Sequence, residues 1–400
     1  MDKMKKIADR LLILCFMGFL AAVLVLTVRN RHETYSFEEN RSLAPRPTLT
    51  AEGVLDGSYF TGWDKFWIDR AVGRADVLKY RTLWQWQVEQ RPVINDVLVL
   101  EDQLMYFFGP DSFRDREDPA LQAAAVAAEL EALRDHIAAH GGEFYYVGVP
   151  GQFTYLRDLA PDYVEKGEDY SARMHKAFFG ELSERGVPFV NMMEVFEAAG
   201  HPRDFFLRTD HHYSFDGAWC TYQALMAAIN AGDGPKLTVL GEEDVERVTL
   251  PNDFLGSWNR RLYHTYPSEE RLTYAVPRKP VPFTREDNGQ PSEPSVIALP
   301  GPEECATYGV YMGGDFGETI IRTDRPELPK VLIFGDSFTN ALESLLYPSC
   351  GEMRSLDLRY YQGGKTLWEY IADYEPDIVI TVREDHHFLD DGANNVFREK

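Results

Sequence analysis

The chain opens on an uncharged apolar run, LLILCFMGFLAAVLVLTV at 11–28, preceded by Lys3, Lys5, Lys6 and Arg10. A run of this length sits at the lower edge of what crosses a bilayer as a helix. Basic residues ahead of it favour a cytoplasmic N-terminus. No small-x-small cleavage site separates it from the polar segment that follows, which sets a removed signal peptide aside. The pattern predicts a single-pass anchor at the cell membrane over 1–28, with the body extracytoplasmic. Residues 29–110 read as a helical lead-in. Pro45 and Pro47 mark an extended stretch, and 51–88 reads as helical, with Phe60, Trp63, Phe66 and Trp67 on one side for packing.

From 119 onwards the pattern alternates. Asp118-Pro119 starts a helix that Gly141-Gly142 ends, and EFYYVGVP at 143–150 has the unbroken apolar character of a buried strand. A helix over 170–185, a strand over 187–193 and a helix from Ser214 to Ala231 follow. Residues 232–329 are rich in proline and lose the alternation, which predicts an inserted irregular and β region. The alternation then resumes with strands at 331–338, 353–361 and 376–383 and helices at 339–346 and 365–374. Strands interleaved with helices predict an α/β fold, a largely parallel sheet flanked by helices, over 111–400.

Composition narrows the function classes. The chain carries 41 Lys+Arg and 64 Asp+Glu, a net charge of −23, so it has no basic field for nucleic acid. Cys15 lies in the apolar run, leaving Cys220, Cys305 and Cys350, which allow at most one bridge. There is no CxxC, so thiolate zinc binding is not expected.

The chemistry concentrates at Gly335-Asp336-Ser337-Phe338, directly after the apolar run VLIF. In a doubly wound sheet reactive groups gather at the carboxyl ends of strands. A serine at a strand-to-helix turn has an exposed Oγ beside backbone N–H groups that can bind an oxyanion; the plainer reading is that it caps the helix. A nucleophilic serine needs a base and the base an orienter, and Asp210-His211-His212 holds both. In an extended segment Asp210 and His212 point the same way and His211 points away. Asp385-His386-His387 repeats the order and is a rival base. A metal gathered by these four histidines is set aside, because no further carboxylate clusters accompany them.

The GDSF turn, together with TDHHYSFDGAW at 209–219, resembles the DHHW branch of the SGNH (GDSL-type) hydrolases, including the alginate O-acetylation proteins. Further resembling pieces are FEENRSLAPRP (37–47), the stretch from Trp67 to Arg74, VPG (149–151), FLGS (254–257) and GGD (313–315). The family's usual order puts the serine first. Its reversal here implies a circularly permuted motif order. The resemblance implies Ser337 as nucleophile, His212 as base and Asp210 as orienter, with Gly363 or Gly364 as second oxyanion donor. The family's third donor, an Asn, is replaced by the stretch from Val382 to Asp385, which leaves Arg359 or Arg383 as substitutes. Tyr213 stands where the family has Trp. The implied activity is O-acetylation of a cell-surface or exported polysaccharide through an acyl-serine, with no cofactor. A membrane-embedded acyl-donating protein is the expected partner. A carbohydrate esterase of the same fold and a non-catalytic glycan-binding scaffold are the alternatives.

Overall fold

The computed structural model describes residues 2–39, 41–108, 118–390 and 394–395. The expected boundary at 110/111 lies outside the described residues. The chain divides into two compact units, Met1–Leu100 with Ser257–Pro267, and Glu101–Gly256 with Ser268–Lys400.

In the first unit the apolar run lies within α1 (Asp2–Arg29). This helix is long and apolar enough to cross a membrane. The stretch over 51–88 is three helices rather than one, α2 (Ala51–Leu55), α3 (Ser58–Asp69) and α4 (Arg74–Gln87). The breaks have a backbone cause: Gly57 and Gly73 take positive φ, +82° and +70°, which helical propensity alone does not reveal. The two early sequence motifs meet here. Asp69 binds Arg41 at 2.7 Å, and Glu39 binds Arg74 at 2.5 Å. Arg70 is buried, lies over the Phe66 ring, and donates to the carbonyls of Glu33, Ala44 and Phe66. Thr27 Oγ1 accepts from the Val72 N–H, which ties α1 to the α3–α4 turn.

The second unit is built on one eight-stranded sheet. In chain order its elements are α5 (Pro119–Ala139), β1 (Glu143–Val149), α6 (Glu168–Glu184), β2 (Phe189–Asn191) and α7 (Phe215–Ala231). There follow β3 (Thr284–Asp287), β4 (Gln290–Ser292), β5 (Glu318–Arg322), β6 (Lys330–Gly335), α8 (Phe338–Leu346), β7 (Glu352–Leu356), α9 (Leu367–Tyr374) and β8 (Ile378–Glu384). The sheet order is β4-β3-β5-β7-β6-β8-β1-β2. The run from β7 to β2 is parallel, and β4, β3 and β5 add antiparallel strands at one edge. The proline-rich 232–329 region thus supplies the three antiparallel strands that make the sheet mixed.

Local signals place the helices. Asp118 caps α5 through the Ala120 N–H with Pro119 in the first turn, and Ser214 caps α7 through the Gly217 N–H. On one face Leu332, Phe334, Val379, Phe144 and Tyr146 pack with Leu130, Phe178 and Ile371, from α5, α6 and α9. The alternate residues Val331, Ile333, Ile378 and Ile380 are equally buried, and α7 and α8 pack together beside them. A short helix over Met192–Ala198, capped by Asn191, takes part of what reads from sequence as strand. All four cysteines are free, and burial pushes the Cys350 thiol up to about 12.

Glu343 is a buried acid on α8, its Oε1 accepting from Thr339 Oγ1 at 2.5 Å and Ser355 Oγ at 2.7 Å. Burial raises its pKa above the ordinary 4.5. A carboxyl raised on folding favours the folded state most below its unfolded value, and that contribution is lost as pH rises through the folded value. Glu343→Gln keeps the accepting oxygen without the ionisation. Its melting temperature relative to wild type should therefore improve between about pH 4 and about pH 8. Parallel melting curves across that range would show that Glu343 carries no such cost.

Candidate active site

The run VLIF carries β6 to Gly335, where the chain turns close against β8. A Cβ there would lie 2.5 Å from the Val382 carbonyl and 2.8 Å from Thr339 Cγ2, so the turn requires glycine. Asp336 closes it: Oδ1 accepts from the Phe338 N–H at 3.1 Å and its carbonyl from the Thr339 N–H at 2.9 Å. Ser337 occupies the cap position of α8, yet its hydroxyl makes no capping bond. It lies instead 2.7 Å from His212 Nε2. The Ser337 N–H has no hydrogen-bond partner among the described residues.

The histidine side is a turn rather than an extended segment. Asp210 Oδ1 accepts the His212 N–H at 3.1 Å and lies 2.6 Å from His212 Nδ1, an Asx-type turn closed by the same oxygen that orients the ring. This changes the expected place of His211. Its ring does not point away; its centroid is 3.8 Å from that of His212, and its Nδ1 is 3.5 Å from Asp210 Oδ1. Desolvation of this half-buried ring and the neighbouring His212 lower the His211 pKa to about 4.

The loop is gripped from behind. Glu270 accepts from the Arg208 N–H at 2.6 Å, the Thr209 N–H at 3.0 Å and Thr209 Oγ1 at 2.6 Å. Gln152 Nε2 donates to the carbonyls of Leu207 at 2.8 Å and Asp210 at 2.6 Å. Gly256, from the FLGS motif, lets the chain approach so closely that a Cβ would lie 2.1 Å from the Thr209 carbonyl. Tyr213 is fully buried and donates its hydroxyl to the Phe338 carbonyl, tying the histidine loop to the serine turn. The Tyr308 ring lies parallel to His212, with centroids 3.7 Å apart and planes 4° apart. Neither Glu270 nor Tyr308 stood out in the sequence. Glu270 is one of several acids in a polar loop, and Tyr308 lies in the stretch without periodicity.

The remaining sequence candidates are placed as follows. Arg383 is buried, its Nη1 3.9 Å from Asp336 Oδ2, and its Nε and Nη2 have no hydrogen-bond partner among the described residues. Arg359 binds Asp357 and Asp315. Asp315, from the GGD motif, also accepts from Asn340 on α8. Gly363 and Gly364 lie in the turn after β7, Gly364 at φ +77°, and no hydrogen bond among the described residues joins them to Ser337. Asp385 spends its oxygens on the Gly151 N–H and His175, each at 3.0 Å, and His387 binds Asp390 at 2.6 Å. Burial acts to raise the Asp385 pKa, but His386 and His175 hold it well below the carboxylate range.

Among the described residues, two groups have donor sets suited to a divalent cation, Asp210–His211–His212 and Glu384–Asp385–His386. In both, the donor atoms already bind one another or neighbouring groups. A cavity of about 370 Å³, lined by Arg203, Arg208, Phe215, Glu270 and Arg271 among others, lies beside the histidine loop, and none of Asp210, His212 and Ser337 lines it.

An α/β sheet with a serine at the strand-to-helix turn and a His–Asp pair on a separate loop is the arrangement that the sequence resemblance implies. The comparisons bear on the fold. Residues 104–293 match the family model described as SGNH hydrolase-like domain, acetyltransferase AlgX. That segment contains Asp210 and His212 and ends before Ser337. The fold is similar to that of Bacillus cereus PatB1, solved with a sulfonyl adduct: 21% identity, 76% of this chain and 98% of that one covered, TM-score 0.63. It is also similar to a DHHW family protein from Eubacterium siraeum, at 20% identity, covering 76% of this chain and 95% of that one, TM-score 0.57. No curated protein matches the sequence. The family match over 104–293 and the two structural likenesses together show that the chain is similar to the SGNH-like proteins in fold.

Removing Glu270 leaves the N–H and hydroxyl of fully buried Thr209 without their acceptor, along with the exposed Arg208 N–H. Unpaired buried donors cost about 1–3 kcal/mol. Glu270→Ala should lower unfolding stability by about that amount in chemical denaturation, and Glu270→Gln, which restores one acceptor, by less.

Proposed function

We propose that the chain is a membrane-anchored, extracytoplasmic serine acyl-transfer enzyme that O-acetylates a cell-surface or exported polysaccharide. The observation that carries this reading is the relay from Asp210 through His212 to Ser337, with contacts of 2.6 and 2.7 Å. His212 takes the Ser337 proton while Asp210 fixes the tautomer and stabilises the imidazolium. Ser337 Oγ attacks the acyl carbonyl, and the Ser337 N–H meets the oxyanion, with Gly364 as the second donor the resemblance implies. The tetrahedral adduct collapses to an acyl-serine as His212 returns its proton to the leaving group. In the second half the acceptor hydroxyl gives its proton to His212, attacks the acyl carbon and releases Ser337. If water takes the acceptor's place the same steps give an esterase.

Membrane anchoring supports a surface acceptor. With α1 across the membrane and Lys3, Lys5, Lys6 and Arg10 inside, the body lies where acetyl-CoA is absent. An acyl-donating membrane protein would then supply the group.

The decisive experiment is mass spectrometry of the full chain after incubation with 4-nitrophenyl acetate. One acetyl group should appear on Ser337, be lost in Ser337→Ala, and fall at least about a hundredfold in rate in His212→Ala. His386→Ala and His387→Ala should retain it. Acetylation that survives Ser337→Ala, or that depends on His387 and not on His212, overturns the assignment. Acetate moving to an added oligosaccharide, rather than to water alone, separates transferase from esterase. Protease added to intact spheroplasts should digest the body, and protection there would reverse the topology.

A further inference from the structure

His212 rests flat against an aromatic ring that the relay itself does not use. Tyr308 is buried, and its hydroxyl makes no hydrogen bond among the described residues. A buried hydroxyl without a partner is costly, so what this position offers the fold is the ring rather than the phenol oxygen. The segment that presents it is rigidly held. Val310 N–H closes a short turn onto the Thr307 carbonyl at 3.1 Å. Ala306 and Leu255 N–H groups bond to the carbonyls of Asp253 and Ala306 at 2.9 and 2.8 Å. Tyr311 packs edge-on against Tyr308, with centroids 5.0 Å apart.

We propose that Tyr308 is a positioning residue for the His212 relay: its ring face holds the imidazole in the plane that joins Asp210 to Ser337, and it favours the imidazolium formed when Ser337 gives up its proton. The inference rests on the acyl-serine reading. Two physical effects combine. Flat contact at 3.7 Å leaves the ring no room to tilt toward Tyr308, so Nδ1 and Nε2 stay aimed at their partners. The negative face of an aromatic ring also attracts a cation laid over it, most strongly where water is excluded. The interaction is stronger for the charged imidazole than for the neutral one, so it acts where charge develops.

The titratable groups around the two rings are Asp210 and His211 beside His212, and Tyr213, Tyr311 and Asp336 around Tyr308, with Glu384 at the end of β8 bearing on His211. None of them is altered by substitution at 308, so a change in His212 titration there reports the ring. Tyr308→Leu keeps most of the bulk and the dryness of the site while removing the aromatic face. Tyr308→Phe keeps the face and removes only the unpartnered hydroxyl.

The test is histidine C2–H deuterium exchange followed by mass spectrometry on the full chain in detergent micelles. It reads the His212 pKa without requiring turnover. Tyr308→Leu should lower that pKa by roughly half a unit, and Tyr308→Phe should leave it at the wild-type value. In 4-nitrophenyl acetate hydrolysis the acidic limb of the pH–rate profile should move down with the pKa. The turnover number should fall roughly three- to tenfold in Tyr308→Leu with KM little changed, and recover in Tyr308→Phe. Tyr308→Met serves as a second variant without a ring should the leucine variant not fold. An unchanged His212 pKa in the folded Leu or Met variant overturns the proposal. So does a Phe variant that shifts as far as Leu, since the hydroxyl and not the face would then be responsible. A wild-type chain that titrates as expected but never forms an acyl-serine refutes the enzymatic reading instead, which keeps the two failures apart.

Discussion

A single oxygen organises the site. Asp210 Oδ1 accepts the His212 N–H and faces His212 Nδ1, so the bond that folds the turn and the bond that orients the imidazole end on one atom. A carboxylate this buried is tolerated only when hydrogen-bonded. Opening the loop would therefore remove hydrogen bonds that hold this buried charge. The surrounding contacts protect this one arrangement. Gln152 and Glu270 fix the backbone on either side, Gly256 lets a neighbouring strand of chain close over Thr209, and Tyr213 locks the loop to the carbonyl of Phe338. The last of these makes the serine and histidine halves of the site mutually dependent. They sit 125 residues apart in the chain, and besides the Ser337–His212 contact the Tyr213 phenol and the packing of the Phe338 ring against His212 and Tyr213 join them.

The region over 232–329 has a larger part than its irregular sequence suggests. Its strands β3, β4 and β5 extend the parallel sheet at the β7 edge. Its loops bring Glu270, Tyr308 and Asp315 to the site, one behind the histidine loop, one against the imidazole and one beside α8. A parallel sheet alone provides strand ends; the added segment supplies much of the shell that holds the reactive groups in register. Ser257–Pro267, from within the same stretch, folds with the first unit.

What could be read from the sequence follows from how local each cause is. The caps Asp118 and Ser214 and the buried runs of β1, β6 and β8 act through neighbours in the chain, so periodicity and capping chemistry reveal them. The serine turn is legible for the same reason, since Gly335 and Asp336 carry it within four residues. The break of 51–88 into three helices is a matter of left-handed glycines, whose φ a sequence pattern does not state. His211 departs from the alternation of an extended segment because Asp210–His212 is an Asx turn, in which adjacent side chains need not alternate. Tyr308 and Glu270 are not legible in the sequence because their contacts come from segments 96 and 61 residues away, and nothing in their own neighbourhoods marks them.

The two Asp-His-His tripeptides show why order alone does not make a site. In both, an aspartate precedes two histidines and sits buried. At 210–212 the aspartate turns one oxygen onto the histidine two residues on, and the far nitrogen of that ring reaches a hydroxyl. At 385–387 the short 3₁₀ turn directs the aspartate inward, where it binds the Gly151 N–H and His175. The residue two positions on, His387, pairs with the exposed Asp390 instead, and His386 pairs with Glu384. The second tripeptide thereby stitches β8 to the VPG loop and to α6. The difference lies in what the backbone does between the first and third residues. An Asx turn brings them together, and a 3₁₀ turn that begins at the aspartate sends them to different partners. Identical residues thus form a hydrogen-bonded chain that ends on a serine hydroxyl in one place and a structural clamp in the other.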